Sequence, residues 1–167
     1  MATWIRHGVL TALARHGAEG VLPTEPPEPG TDAGRALAFV IGTAFLVAAA
    51  DGSLAAIERA TLIRTMNEIV GLTLDEAAWS EFLHEANSAL AKYGYAASIA
   101  DLAQHEAAPA RRRAAFIVAA AVACSDGVLT NEEAAVFESL AGAYALPPET
   151  AQAIVEQIAQ AYLDAHR

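Results

Sequence analysis

The chain writes Asp-Gly-x-Leu-x-x-x-Glu twice, as "DGSLAAIE" from Asp51 to Glu58 and as "DGVLTNEE" from Asp126 to Glu133. Four carboxylates in two matched settings can do one of two things. They can offer hard oxygen ligands to a divalent cation, or they can punctuate the ends of helices. Ca²⁺ takes six to eight oxygens and Mg²⁺ usually keeps several waters. One Asp-Glu pair is therefore a partial shell, completed by loop carbonyls and water or by convergence of the two loops. The motif is not an EF-hand: the glycine follows the aspartate directly, and further oxygens at loop positions 3, 5 and 9 are missing.

Punctuation explains the second copy more fully than the first. Thr130 and Glu133 form a T-x-x-E capping box, in which each side chain bonds the other residue's backbone amide. Such a cap is typically worth about 1 kcal/mol. In the first copy the position of Thr130 is held by Ala55, which cannot cap, yet Glu58 is retained. Asp51 and Asp126 also follow apolar helices, whose C-terminal dipole disfavours a negative charge. An acid there costs a little unless a cation or hydrogen bonds offset it. The glycine of each copy can adopt positive φ in a tight turn, and the leucine can plug the space between the two helices.

Other reactive residues are less eventful. Cys124 is the single cysteine, and its "AAAVAC" neighbours favour a buried, inert thiol. His7, His16, His84, His105 and His166 show no zinc-site spacing. Arg111, Arg112 and Arg113 open a helix, where positive charge opposes the dipole. They are expected to pair with acids such as Glu106, with a docking patch for an acidic partner or phospholipid as the alternative. No nucleophile elbow and no phosphate-cradling glycine loop is present, and no nucleophile has a nearby histidine base. The chain does not read as an enzyme.

The elements that hold the repeated motif are helices. Apolar periodicity predicts spans 3–16, 33–50, 56–70, 75–92, 95–106, 109–125, 131–144 and 148–165, with Gly52, Gly71, Gly94, Gly127 and Pro147-Pro148 at breaks. No window alternates with period two, so no sheet is expected. Sliding the chain by 75 residues lays "FLVAAADGSLAAIERATLI" over "AAVACSDGVLTNEEAAVFE". After one deletion Leu72 meets Leu146, and Asp75 falls near Glu149. The expectation is an all-α bundle of internally duplicated helix-loop-helix units related by an approximate two-fold axis.

Residues 1–18 form an amphipathic N-terminal helix with Trp4, Ile5, Val9, Leu10 and Leu13 on one face. Residues 19–32 are a Pro-rich linker with Pro23, Pro26, Pro27 and Pro29, and residues 33–167 are the helical domain. This arm is read as a tethered segment that packs on protein, with a membrane surface as the other use. Hydrophobic residues make up 54% of the 167, and the net charge is −10. The first excludes a disordered chain; the second excludes nucleic acid as a partner and favours cations. The longest apolar run, residues 36–50, is shorter than the roughly 20 residues of a membrane span. With no secretory signal, the chain reads as cytoplasmic, with membrane association only through the arm.

The doubled "AADGSLAAIE" and "CSDGVLTNEE", each after an apolar helix, resemble the TerB-like family of tellurite-resistance-associated proteins over roughly residues 36–163. The resemblance implies an all-helical, pseudo-symmetric domain that binds divalent metal through acids and serves stress responses alongside membrane-associated partners. By position, Asp51, Glu58, Asp126 and Glu133 inherit the metal role, with Ca²⁺, Mg²⁺, Mn²⁺ or Zn²⁺ as candidates. Two features depart from the pattern: Ala55 lacks a polar helix start, and the arm with its linker lies outside the core. The reading is an accessory stress-resistance protein acting as an interaction module with a protein partner. The alternative is a metal-free helical scaffold that recruits a protein or membrane-surface partner.

Overall fold

The structure is a computed structural model that describes residues 3–23, 25–28, 30–50, 54, 56–70, 75–125, 127 and 129–167, with only the backbone of Thr3, Ile57, Glu58 and Val70. Among the described residues there are seven helices and no strand: α1 Thr3–Arg15, α2 Asp32–Ala48, α3 Ala56–Val70, α4 Glu76–His105, α5 Pro109–Cys124, α6 Asn131–Ala143 and α7 Pro148–Ala165. The fold is all-α, as the periodicity predicts. α4 is two helices end to end, because Gly94 sits at φ +81° and ψ 176° inside it. A side chain would be strained at that φ, so glycine is what lets the chain turn there.

α5 is the central element. Every residue from Ala114 to Cys124 is buried, and α1, α2, α3, α6 and α7 all lie against it. A helix that is apolar all round is one enclosed on every side. Its alanines keep it thin, so neighbours approach closely. α2 makes the most extensive contact with α5 and buries Phe39, Val40, Phe45 and Leu46. Across α2 and α4 the approach is tight enough that a methyl group on Gly42 would stand 3.1 Å from Leu102 Cδ2.

The arginine run fixes three helix ends around the start of α5. Arg111 bonds the Asp32 carboxylate at the start of α2 and Glu106 Oε2 at 3.3 Å. The hydrogen bond and charge of Arg111 hold the Asp32 carboxyl below the usual carboxylate range. Arg112 donates to the carbonyls of Glu106 (2.6 Å) and Ala103 (2.7 Å) at the end of α4. Arg113 donates to the carbonyl of His16 (2.7 Å), just past α1. Carbonyls at helix C-termini lack intrahelical partners and carry the negative end of the dipole, so guanidinium groups suit them. The expected pairing with Glu106 is present, and all three side chains are engaged within the fold.

α1 lies against α7, α5 and α3, with Ile5, Val9, Ala12 and Leu13 buried. A methyl group on Gly8 would stand 3.2 Å from Ala161 Cβ, and Trp4 meets Tyr162 edge to face at 5.4 Å. In order and in contacts α1 matches the second part of α4: each precedes the helix that leads into an Asp-Gly turn. The pairings α2–α3, α1–α3 and α1–α5 recur as α5–α6, α4–α6 and α4–α2. The 75-residue offset reaches the middle of α7, where buried Ile154 and Ile158 align with buried Trp79 and Leu83. Leu72, where one deletion is expected, lies outside the described residues.

Candidate metal site at the interhelix turns

Each motif follows one of the two helices of the central contact, α2 or α5. The last turns of both helices carry no basic residue, so their negative dipole ends are not neutralised from within the helix. Glu58 is the third residue of α3 and Glu133 the third residue of α6. The two glutamates thus occupy equivalent places, seven residues after Asp51 and Asp126 respectively. Asp51, Asp126 and the side chain of Glu58 lie outside the described residues.

The second turn is described around Gly127. The α5 helix closes with the Ser125 amide and hydroxyl both donating to the Val122 carbonyl, at 3.2 and 2.7 Å. The Gly127 amide then donates to the Cys124 carbonyl at 3.0 Å. Gly127 has φ +92°, the left-handed region that favours glycine. It is also crowded: a methyl group there would stand 2.7 Å from the Tyr162 hydroxyl oxygen. Thr130 then caps α6. Its amide donates to Glu133 Oε1 at 3.0 Å, and the Glu133 amide donates to Thr130 Oγ1 at 3.1 Å. The T-x-x-E box is therefore formed as expected, and Glu133 Oε1 serves it.

The leucines of the two motifs differ. Leu54 is half-buried and packs on the core. Leu129, expected to plug the space between helices, is 37% exposed and borders a groove between α6 and α7. Tyr162 escaped the sequence reading because it lies 35 residues beyond Gly127, with no local signal linking the two. Cys124 is buried. Among the described residues no group of three or more His, Cys, Asp or Glu side chains is gathered around a common point.

A family model described as "Tellurite resistance protein TerB" matches residues 36–156. The chain belongs to the TerB family. The match takes in α2 from Ala36 onward, both Asp-Gly turns and the first half of α7, and leaves α1 outside. No curated protein and no solved structure matches the chain. Within this TerB domain the donor chemistry of the turns is all oxygen, which fits a hard cation such as Ca²⁺ or Mg²⁺ better than a thiophilic metal. No described helix is long and apolar enough to cross a membrane.

Proposed function

We propose that this TerB-family chain is a cytoplasmic accessory protein of a tellurite-resistance-like stress response. It binds a divalent cation at its Asp-Gly turns and serves as an interaction module for a protein partner. Asp51 and Asp126 are the primary oxygen ligands, and Glu58 and Glu133 contribute to the shell. The cation offsets acidic charge at the ends of α2 and α5 and fixes the turns, and so shapes the surface a partner meets. No catalytic step is part of this role.

The observation that carries the reading is the equivalence of Glu58 and Glu133. Each is the third residue of the helix after its turn, although only the second repeat has a capping threonine. A carboxylate has about four lone-pair sites, so the cap at Glu133 Oε1 does not by itself preclude ligation. The net charge of −10 favours a cation further. The formed capping box supports a second reading, a metal-free helical scaffold in which the acids only terminate and start helices. A membrane-surface role for α1 has less to draw on. Ile5, Val9 and Leu13 face protein, which leaves Leu10 and part of Trp4 exposed.

Calorimetric titration with Ca²⁺, Mg²⁺, Mn²⁺ and Zn²⁺ tests the cation. Saturable heat with the native chain, lost in Asp51→Asn and Asp126→Asn, is the expected result. No heat at millimolar ion, with a melting temperature unmoved by EDTA, would leave the scaffold reading.

A further inference from the structure

The two halves of the domain treat one seam differently. In the first half, Arg59 crosses from α3 to α4 and donates to Glu76 Oε1 at 2.9 Å and Ser80 Oγ at 2.8 Å. At the 75-residue offset these three positions become Ala134, Ala151 and Val155. Those three residues line an open groove of about 740 Å³ between α6 and α7. Two more replacements widen it: Met66 becomes Ala141 and Asn67 becomes Gly142. A methyl group built on Gly142 would meet nothing within 4 Å. So the polar clamp that bridges the first seam is absent from the second, and smaller side chains leave room.

The groove has a specific chemistry. Phe137 and the exposed Leu129 contribute apolar surface, and Glu138 and Glu156 stand exposed at its edges. Among the described residues no lysine, arginine or histidine lines it. An amphipathic helix laid in such a groove contributes apolar anchors at i, i+4 and i+7. Acidic edges select basic residues beside those anchors and repel acidic ones. A second copy of this chain is a poor occupant, since each copy carries a net charge of −10.

We infer that the α6–α7 groove is the docking site for an amphipathic helical segment of another protein, one with arginine or lysine flanking its apolar face. The arginines of that segment pair with Glu138 and Glu156 at the groove edges, because the acceptors of the Arg59 clamp are Ala151 and Val155 in this half. Leu129 belongs to the Asp126 motif, so the groove wall is continuous with the candidate cation turn. The inference deepens the interaction-module half of the proposed function and does not need the cation.

The test uses the full chain in EDTA, so that failure of cation binding leaves it intact. The probe is a synthetic helix-forming peptide about 15 residues long, with leucines at i, i+4, i+7 and i+11 and arginines beside them. A twin peptide carries glutamates in place of the arginines. Fluorescence anisotropy gives affinity, and amide NMR shifts give location. The arginine peptide is expected to bind with shifts confined to α6, α7 and Leu129, and about tenfold more tightly than its twin. Installing the first-half clamp with Ala134→Arg and Ala151→Glu should abolish binding. Glu138→Gln with Glu156→Gln, both at exposed positions, should weaken it at least about threefold while the circular dichroism stays unchanged. The inference is overturned by the absence of saturable binding, by equal binding of the two peptides, by shifts outside the groove, or by self-association of the chain through it.

Discussion

Tyr162 stands so close over Gly127 that a single methyl group on the glycine would come within 2.7 Å of the phenolic oxygen. Thirty-five residues of chain separate the two, yet the turn of the second motif and the last turns of α7 fit against each other there. Tyr162 in turn meets Trp4 of α1 edge to face and stacks on His166 at 4.0 Å. The Asp-Gly turn is thus held by an aromatic cluster that joins both ends of the chain.

Gly127→Ala should therefore destabilise the protein for two reasons at once. An L side chain at φ +92° costs roughly 1–2 kcal/mol, and overpacking against the ring costs typically about 1–3 kcal/mol more. Adding Tyr162→Phe should recover only part of the loss. The ring carbons Cζ and Cε1 would still lie 3.1 and 3.2 Å from the new methyl group. Urea denaturation of the two variants measures this. Equal stability of Gly127→Ala and the native chain would show that the turn can shift away from the ring.

The arginine run offers a prediction about the end of α4. Arg112 is half-buried and spans two carbonyls, those of Ala103 and Glu106, with two different nitrogens. Hydrogen bonds from a charged group contribute about 1.5–3 kcal/mol, so Arg112→Ala should cost roughly that much. Arg112→Lys should recover less than half of it, because an ammonium on a flexible stem lacks the fork that reaches both oxygens. Hydrogen exchange adds a local readout: amides at the end of α4 should lose protection in both variants. Full rescue by lysine would mean that charge, and not the fork, is what the helix end uses.

The fold was largely legible because its breaks are chemical. Gly94 at positive φ, Gly127 in its turn, Pro148 at the first position of α7 and the Thr130–Glu133 box all announce themselves locally. The duplication was legible because both halves bury the same positions. What the sequence does not carry is reach. It links Arg111 to Glu106, five residues away, but not Arg113 to the His16 carbonyl, 97 residues away. A proline-rich linker announces extension without saying where its ends go, so the docking of α1 on α7 came only with the contacts. The exposure of Leu129 has a related reason. The fit of a leucine between helices depends on the side chains opposite, and in the second half Ala134, Ala141 and Gly142 leave that space open. Of the candidate cation ligands, only the Glu133 side chain lies within the described residues, and it forms the cap that the sequence predicts.

Tyr144 supplies a pH dependence whose sign is fixed by its burial. Its hydroxyl lies 2.7 Å from Thr43 Oγ1, and the Thr43 hydroxyl donates its single proton to the Phe39 carbonyl at 2.9 Å. While neutral, Tyr144 can donate to Thr43; a Tyr144 phenolate would instead accept the Thr43 proton, so this hydrogen bond favours ionisation and burial opposes it. Burial raises its pKa from 10.0 to about 12, opposed by the Thr43 hydrogen bond and by the charge of Arg112. Above pH 10 the unfolded chain loses this proton while the folded chain keeps it. Stability therefore falls as pH rises, over a window from about 10 to about 12. A shift of that size corresponds to about 2–3 kcal/mol across the window. Tyr144→Phe should cost about 1 kcal/mol at neutral pH for the lost bond, yet lose stability less steeply above pH 10. The two lines should converge or cross near the top of the window. Urea denaturation at intervals from pH 8 to pH 12 compares the slopes. Parallel lines for the two proteins would mean that the hydroxyl ionises as readily in the folded chain as in the unfolded one, and that Thr43 and Arg112 offset its burial in full.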